Sequence, residues 1–223
     1  MRVTLPAGIG DDAAAGPPRA AAPALEPGGF GLPRANPFAS RFIRPGALPF
    51  LGPDPGELVR RLEAAAGWGE IIGPHGSGKS TLVAALLAVV PPGWEPRLVR
   101  LSAGGRSLPA DAWAPWAGRG LLVIDGFEQL GWLEARRVRR HCRRLGAGLV
   151  VTAHTATGLP PLCRTDVTPE IAAAVVDRLL AGRDRGVLAG YDLAGRLRAL
   201  RGSLRDLLGE LYDRWELLHR GPA

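Results

Sequence analysis

Lysine is almost absent from this chain. Lys79 is the single lysine among 28 basic residues, and the other 27 are arginines. Arginine presents a broad planar fork, whereas lysine presents a compact charge on a thin and flexible stem. Because arginine supplies positive charge everywhere else, we expect the position of Lys79 to require a compact ammonium group. Lys79 is therefore the first candidate functional residue.

Cysteines and long apolar runs are also scarce. The two cysteines, Cys142 and Cys163, lack a spacing typical of a metal site, and we expect reduced thiols rather than a disulfide. The longest apolar run, residues 82–90, is too short to cross a bilayer. No apolar stretch near the N-terminus indicates a secretory signal. These features predict a cytoplasmic protein without a membrane span.

Positive charge is concentrated in the second half of the chain. The net charge is +7, and residues 129–223 contribute most of it with 16 basic and 10 acidic residues. An excess of this kind is compatible with an acidic partner such as nucleic acid. The alternative is an arginine-rich composition that reflects codon bias alone.

The chain divides into three predicted segments. Residues 1–35 are rich in alanine, proline and glycine without periodicity, which predicts disorder. Residues 36–166 alternate predicted strands and helices, which indicates an α/β core with a parallel sheet. Residues 167–223 contain three predicted helices and no strong strand, which favours a small helical lid. The predicted core elements are strands at 70–72, 97–101, 121–125 and 149–153, and helices at 54–66, 80–90 and 131–145.

The segment around Lys79 matches a phosphate-binding motif. Residues 73–80 read G-P-H-G-S-G-K-S, which fits G-x-x-x-x-G-K-[ST], the Walker A motif or P-loop. Glycines allow the backbone to curl and to turn N–H groups inward, and the following helix presents further donors at its N-terminus. The alternative is a glycine-rich turn that binds nothing, and we expect His75 to face solvent. The predicted phosphate-binding residues are Gly73, Pro74, His75, Gly76, Ser77, Gly78, Lys79, Ser80 and Thr81.

A second motif lies about 45 residues downstream. Residues 121–124 are apolar and are followed by Asp125, which matches the Walker B pattern. A carboxylate at the end of a parallel strand beside the loop can hold Mg²⁺ together with the Ser80 hydroxyl. Glu128 is the candidate base for the attacking water, and Gln129 is an alternative that would orient it. Glu128 is equally compatible with an acid that only stabilises a helix N-terminus.

The predicted strand at 149–153 ends in polar residues. Thr152 and His154 follow apolar residues at the end of this strand. In a sheet that carries a P-loop, a polar group here lies near the γ-phosphate and can sense it by a hydrogen bond. The alternative is a polar strand end at the protein surface.

The order of these motifs resembles that of AAA+ and related STAND-type P-loop ATPases. The resemblance spans about residues 36–218 and implies an ATPase that uses ATP and Mg²⁺. In that family an arginine of a late lid helix contacts the nucleotide, and the pattern G-S-L-R-D-L-L at 202–208 implies this role for Arg205. The resemblance also implies that Phe42 and Ile43 pack near the adenine.

The chain also departs from the pattern that it resembles. The family usually has an acid directly after the Walker B aspartate, whereas this chain has Gly126, as in the STAND type of slow switch. A short loop at 155–161 replaces a family helix. An arginine finger that acts in trans is not evident, and Arg164 is only a weak candidate.

Two classes of function therefore compete. The first is an ATPase that hydrolyses ATP and drives or times a change in a partner, and the second is a non-hydrolysing, nucleotide-responsive binding module. A small-molecule kinase is a third hypothesis. Residues 101–105 superficially resemble the signature of ABC transporters, but they follow the loop too closely for that architecture. The chain contains no Asn-Lys-x-Asp, which favours ATP over GTP.

The predicted helix at 131–145 is unusually basic. If its arginines face phosphates, they would bind nucleic acid without sequence preference. No aromatic residues are interleaved with the arginines, so the sequence predicts no platform on which bases would stack. A solvated basic face or an acidic protein partner is the alternative, and self-association is also compatible with the family resemblance. The arginines are Arg136, Arg137, Arg139, Arg140, Arg143 and Arg144.

Overall fold

The centre of the fold is a sheet of five parallel strands. The structure is a computed structural model, and it describes residues 35–105 and 107–219. The predicted disordered segment therefore lies outside the described residues, apart from Ala35. The strands are β1 (Trp68–Ile72), β2 (Trp94–Arg100), β3 (Arg119–Asp125), β4 (Gly148–Ala153) and β5 (Pro161–Arg164).

The strand order places the predicted functional residues at one edge of the sheet. The order is β2-β3-β4-β1-β5, so β4 lies between β1 and β3 and pairs with both. The 73–80 loop follows β1, and β4 separates β1 from β3. The predicted magnesium carboxylate at the end of β3 is therefore not on the strand next to the loop, as the sequence analysis expected, but one strand further away. Because all five strands are parallel, the segments after β1, β3 and β4 emerge at the same edge.

Seven α-helices accompany the sheet within the described residues. Two of them begin with side-chain caps and a first-turn proline, which are strong start signals: Asp54 accepts from Glu57 N before Pro55, and Thr168 accepts from Ile171 N before Pro169. The helices are α1 (Ser40–Ile43), α2 (Pro55–Ala64), α3 (Lys79–Ala88), α4 (Trp132–Arg144), α5 (Pro169–Leu179), α6 (Leu193–Ala199) and α7 (Leu204–His219).

The sheet is covered on both faces. Alternate residues of β3 point to opposite sides, as in any pleated strand. Leu122 and Ile124 pack with Val138 of α4, whereas Leu121 and Val123 pack with residues of α2 and α3. These two apolar layers confirm the predicted α/β class, with a parallel sheet flanked by helices.

The C-terminal helices form a further apolar cluster with the segment before α2. Phe38 and Trp215 meet edge to face in this cluster, with ring centroids 6.4 Å apart. The predicted boundary between core and lid at residues 166 and 167 stays a prediction. Among the described residues, no helix is both long and apolar enough to cross a membrane.

Candidate functional site

The 73–80 loop joins β1 directly to α3. Gly76 and Gly78 adopt positive φ angles of 70° and 91°, which a residue with a Cβ atom rarely adopts. Gly78 is the residue before the first turn of α3, and no side chain caps that end of the helix. The first N–H groups of α3 therefore lack helical partners and are available to an anion.

Lys79 folds back over this loop. Its side chain donates to the carbonyl oxygens of Gly73 and Pro74, each at 2.7 Å, and the residue is only 9 % exposed. An ammonium group has three N–H donors, so one donor is left for a ligand. Burial lowers the pKa of Lys79 below its usual 10.5, whereas the charges of Glu128 and Asp125 raise it. Arg205 lowers the Lys79 pKa further.

Thr152 holds the carboxylate at the end of β3. Its hydroxyl donates to Asp125 Oδ1 at 2.7 Å and accepts from Gly126 N at 2.9 Å. Thr152 is fully buried, so it is not the polar strand end at the surface that the sequence also allowed. Because its proton is already donated to Asp125, Thr152 can affect a bound phosphate chiefly by orienting that carboxylate.

Backbone geometry explains why glycine follows Asp125. Gly126 has a φ of 94°, and a Cβ atom on it would lie 2.8 Å from the Leu101 carbonyl oxygen. An acidic residue at this position would be strained and would displace the backbone of the neighbouring strand end. The chain instead forms a 3₁₀ turn at Phe127–Gln129, which presents the next acid, Glu128, three residues after Asp125.

Glu128 faces the histidine that follows β4. His154 Nε2 lies 3.4 Å from Glu128 Oε1, and the His154 ring meets the His75 ring edge to face at 6.1 Å. The charge of Glu128 also acts on Lys79. Glu128, the candidate base, and His154, the candidate phosphate sensor, are therefore next to the 73–80 loop. For Gln129, the alternative group for the attacking water, the hydrogen bond recorded among the described residues is a backbone one, from its N–H to Gly126 O.

The start of α7 packs on the same loop. His75 is exposed, as predicted, but it also contacts the last helix, because Arg205 Nη1 lies 3.2 Å from His75 Nε2. A Cβ atom on Gly76 would lie 2.4 Å from Ser203 Oγ, and Ser203 is itself buried. Because of these contacts, a change in the conformation of the loop would directly displace Arg205 at the start of α7.

Three contacts of the loop were missed by the sequence analysis. Thr165 Oγ1 lies 2.7 Å from Ser77 Oγ, and a Cβ atom on Gly73 would lie 2.2 Å from Thr165 Oγ1. The Phe50 ring is the nearest neighbour of Gly78, at 3.8 Å from a Cβ built there. The third contact is that of Ser203. No local pattern predicted these contacts, because each of the three residues lies in a different part of the chain from the loop.

Other predicted residues lie elsewhere. Phe42 and Ile43 pack against the cluster of C-terminal helices, and Phe50 is the aromatic residue that contacts the loop. Arg164 is exposed and pairs with Asp166 at 3.5 Å. Cys142 is a free, buried thiol, and its burial raises its pKa to about 11.

The site offers few protein ligands for a metal ion. Within the residues that the structure describes, no three His, Cys, Asp or Glu side chains come together as a metal site. Mg²⁺ commonly binds proteins through one or two side-chain oxygens and completes its shell with water and phosphate. The donor set of Ser80 and Asp125 fits that ion only together with a bound polyphosphate.

No model of a known protein family matches the sequence. No curated protein is significantly similar to the chain.

Proposed function

We propose that this chain binds ATP with Mg²⁺ at the 73–80 loop and hydrolyses it. The observation that carries the proposal is the buried Lys79 ammonium group, held over two loop carbonyls at the point where α3 begins. A buried cation with an unused donor favours an anionic ligand. Phosphate groups also suit the uncapped N-terminus of α3.

The loop and the ends of β3 and α3 would share the work of binding. Lys79 and the backbone N–H groups of the loop hold the β- and γ-phosphates. Ser80 and Asp125 would hold Mg²⁺, which would supply positive charge to neutralise that of the phosphates. Thr152 keeps one carboxylate oxygen of Asp125 in a hydrogen bond, and this fixes the orientation of the other oxygen.

Hydrolysis would use Glu128, the acid within the 3₁₀ turn. Glu128 accepts a proton from the attacking water, and His154 orients the Glu128 carboxylate through the contact between them. Arg205 couples α7 to the nucleotide because it contacts His75 of the loop. Release of phosphate would change this contact, and α7 would transmit the change to a partner.

A non-hydrolysing, nucleotide-responsive module is the second candidate. The observation that favours it is the glycine geometry after β3, which excludes an acid directly after Asp125. Glu128 is also already engaged by His154, so a water molecule must share or displace that contact. Binding without turnover would follow if the pair stays closed.

Phosphate release from Mg·ATP tests the proposal. We expect turnover by the wild-type chain and loss of turnover in Lys79→Ala and Glu128→Gln. Glu134→Gln is the matched control, because Glu134 is a neighbouring acid on α4 that pairs with Arg137. Turnover that survives Glu128→Gln would contradict the role of Glu128 as base, and binding without any turnover would select the second candidate.

A further inference from the structure

The six arginines of α4 fall into two groups. Three of them are tied to the domain: Arg137 contacts Glu134 and Trp113, Arg139 donates to the Thr157 carbonyl oxygen, and Arg143 lies over the Trp68 ring. The other three are exposed and have no ion pair or side-chain hydrogen bond within the described part of the chain. These are Arg136, Arg140 and Arg144.

The three untied arginines form a single row. They are four residues apart, so they lie on one side of α4 and follow each other at about 6 Å along the helix axis. No acidic side chain stands between them in the row. A repeat of cations at this spacing complements the successive phosphates of an extended strand.

An exposed tryptophan begins the same row. Trp132 is 72 % exposed and precedes Arg136 by four residues. The chain has six tryptophans, and the other five are at least partly buried and each lies against an arginine, histidine or phenylalanine side chain. No such partner lies on Trp132 among the described residues. Its indole is therefore free to stack on a planar group, at the start of the row and not interleaved with the arginines.

We infer that the row formed by Trp132, Arg136, Arg140 and Arg144 binds single-stranded nucleic acid. The arginines contact successive phosphates, and the indole stacks on one unpaired base. An acidic peptide would satisfy the arginines, but it offers a stacking group only where it has an aromatic side chain, whereas each nucleotide of a single strand carries a base. A duplex would offer phosphates but no unstacked base. The row lies outside the 73–80 loop, so the inference does not rest on the proposed nucleotide function.

Fluorescence anisotropy with a labelled oligothymidylate of about 20 nucleotides tests the arginines. The full chain is used without nucleotide, and the variant is R136A/R140A/R144A. Its matched control is R44A/R178A/R198A, which removes three exposed arginines that make no ion pair within residues 35–105 and 107–219. Losing three phosphate contacts should flatten the plot of log affinity against log salt by about 2. The control triple variant should keep the wild-type slope.

Trp132→Ala tests the stacking contact. We expect affinity for the oligothymidylate to fall by about 5- to 100-fold with an unchanged salt slope, because stacking displaces no counterion. Trp132→Phe should retain most of the affinity, and Leu133→Ala is the exposed neighbouring control.

Three results would overturn the inference. The first is an absence of oligothymidylate binding at about 50 mM salt. The second is a control triple variant whose salt slope falls as much as that of R136A/R140A/R144A. The third is a duplex of the same length that binds as tightly as the single strand, with no effect of Trp132→Ala. A triple variant that unfolds is recognised by its thermal transition. The single substitution of Trp132, an exposed residue, then still decides the stacking contact.

Discussion

Two regions of this molecule carry positive charge in opposite ways. At the 73–80 loop there is one ammonium group, which is buried and converges with backbone donors and two carboxylates. On α4 there is a row of three arginines that are exposed to solvent. Burial strengthens each electrostatic contact, whereas exposed charges are screened by salt. Under the two proposals above, converging donors bind a small polyphosphate and a repeat of charges binds a long strand. The number of charges alone therefore does not identify the stronger site.

The largest expected effect comes from closing the space beside the loop. Gly73→Ala would place a methyl group 2.2 Å from Thr165 Oγ1 and 2.4 Å from the Thr165 carbonyl oxygen. We expect about 1–3 kcal/mol less stability and loss of nucleotide binding, while oligonucleotide binding by the folded protein is retained. Thermal unfolding and both binding assays measure this.

Gly209→Ala is the control for that substitution. Gly209 lies within α7, and a Cβ atom on it would meet nothing within 4 Å. Alanine there should stabilise the helix by up to about 1 kcal/mol. Equal behaviour of the two variants would contradict the tight contact between Gly73 and Thr165.

The second prediction concerns the hydroxyl between β3 and β4. Thr152→Val keeps the shape of the side chain but removes the hydrogen bonds to Asp125 and Gly126. We expect stability to fall by about 1–3 kcal/mol and turnover to fall more than ATP affinity, because the magnesium carboxylate loses its orientation. Thr152→Ser should restore turnover. A valine variant with wild-type turnover would show that this hydrogen bond does not serve the site.

The third prediction is a pH dependence confined to the loop. Burial lowers the pKa of Lys79 below 10.5, so the free site loses its proton at a lower pH than an exposed lysine would. ATP affinity should fall as pH rises through this lowered pKa. Between that pKa and 10.5 the unfolded chain binds more protons at this group, so the group makes stability rise with pH in that window.

Titration of ATP affinity against pH checks this expectation. Lys79→Arg is the control, since the guanidinium keeps its proton throughout the range. Oligonucleotide binding on α4 should show no matching transition. A transition that is identical in the wild type and in Lys79→Arg would assign it to another group.

The smallest effect is expected at the contact between the loop and α7. Arg205→Ala removes an exposed contact with His75, and we expect stability to change by no more than about 0.5 kcal/mol. ATP affinity should fall by no more than about fivefold. Any coupling of nucleotide to α7, measured by hydrogen exchange of that helix with and without ATP, should be lost. Arg198→Ala on α6 is the control.

The parts of this site that local sequence predicts are the parts made by consecutive residues. The glycines around Lys79 lie in one loop, and the apolar run before Asp125 lies in one strand. The spacing of these residues alone therefore predicted a loop before a helix and a buried strand. Helix starts at Asp54 and Thr168 were equally local. The resulting α/β class was predicted correctly, although the role of each residue in it stays a prediction.

What the sequence could not predict depends on contacts between distant segments. β5 is only four residues long, begins with Pro161 and buries one of its side chains fully, so it lacks a period that would predict a strand. Its pairing beside β1 nevertheless brings Thr165 onto the loop. Likewise Trp132 was part of a basic helix by sequence, and only packing showed that its ring stays exposed.

Calorimetric titration of Mg·ATP into the wild-type chain, Lys79→Ala and Lys79→Arg tests whether the buried lysine binds the phosphates. We expect binding heat for the wild type and an affinity about 10- to 100-fold weaker in Lys79→Ala, with no recovery in Lys79→Arg because we expect the guanidinium fork not to fit over the loop carbonyls. An absence of heat with both Mg·ATP and Mg·GTP, or equal affinity in Lys79→Ala, would contradict this expectation.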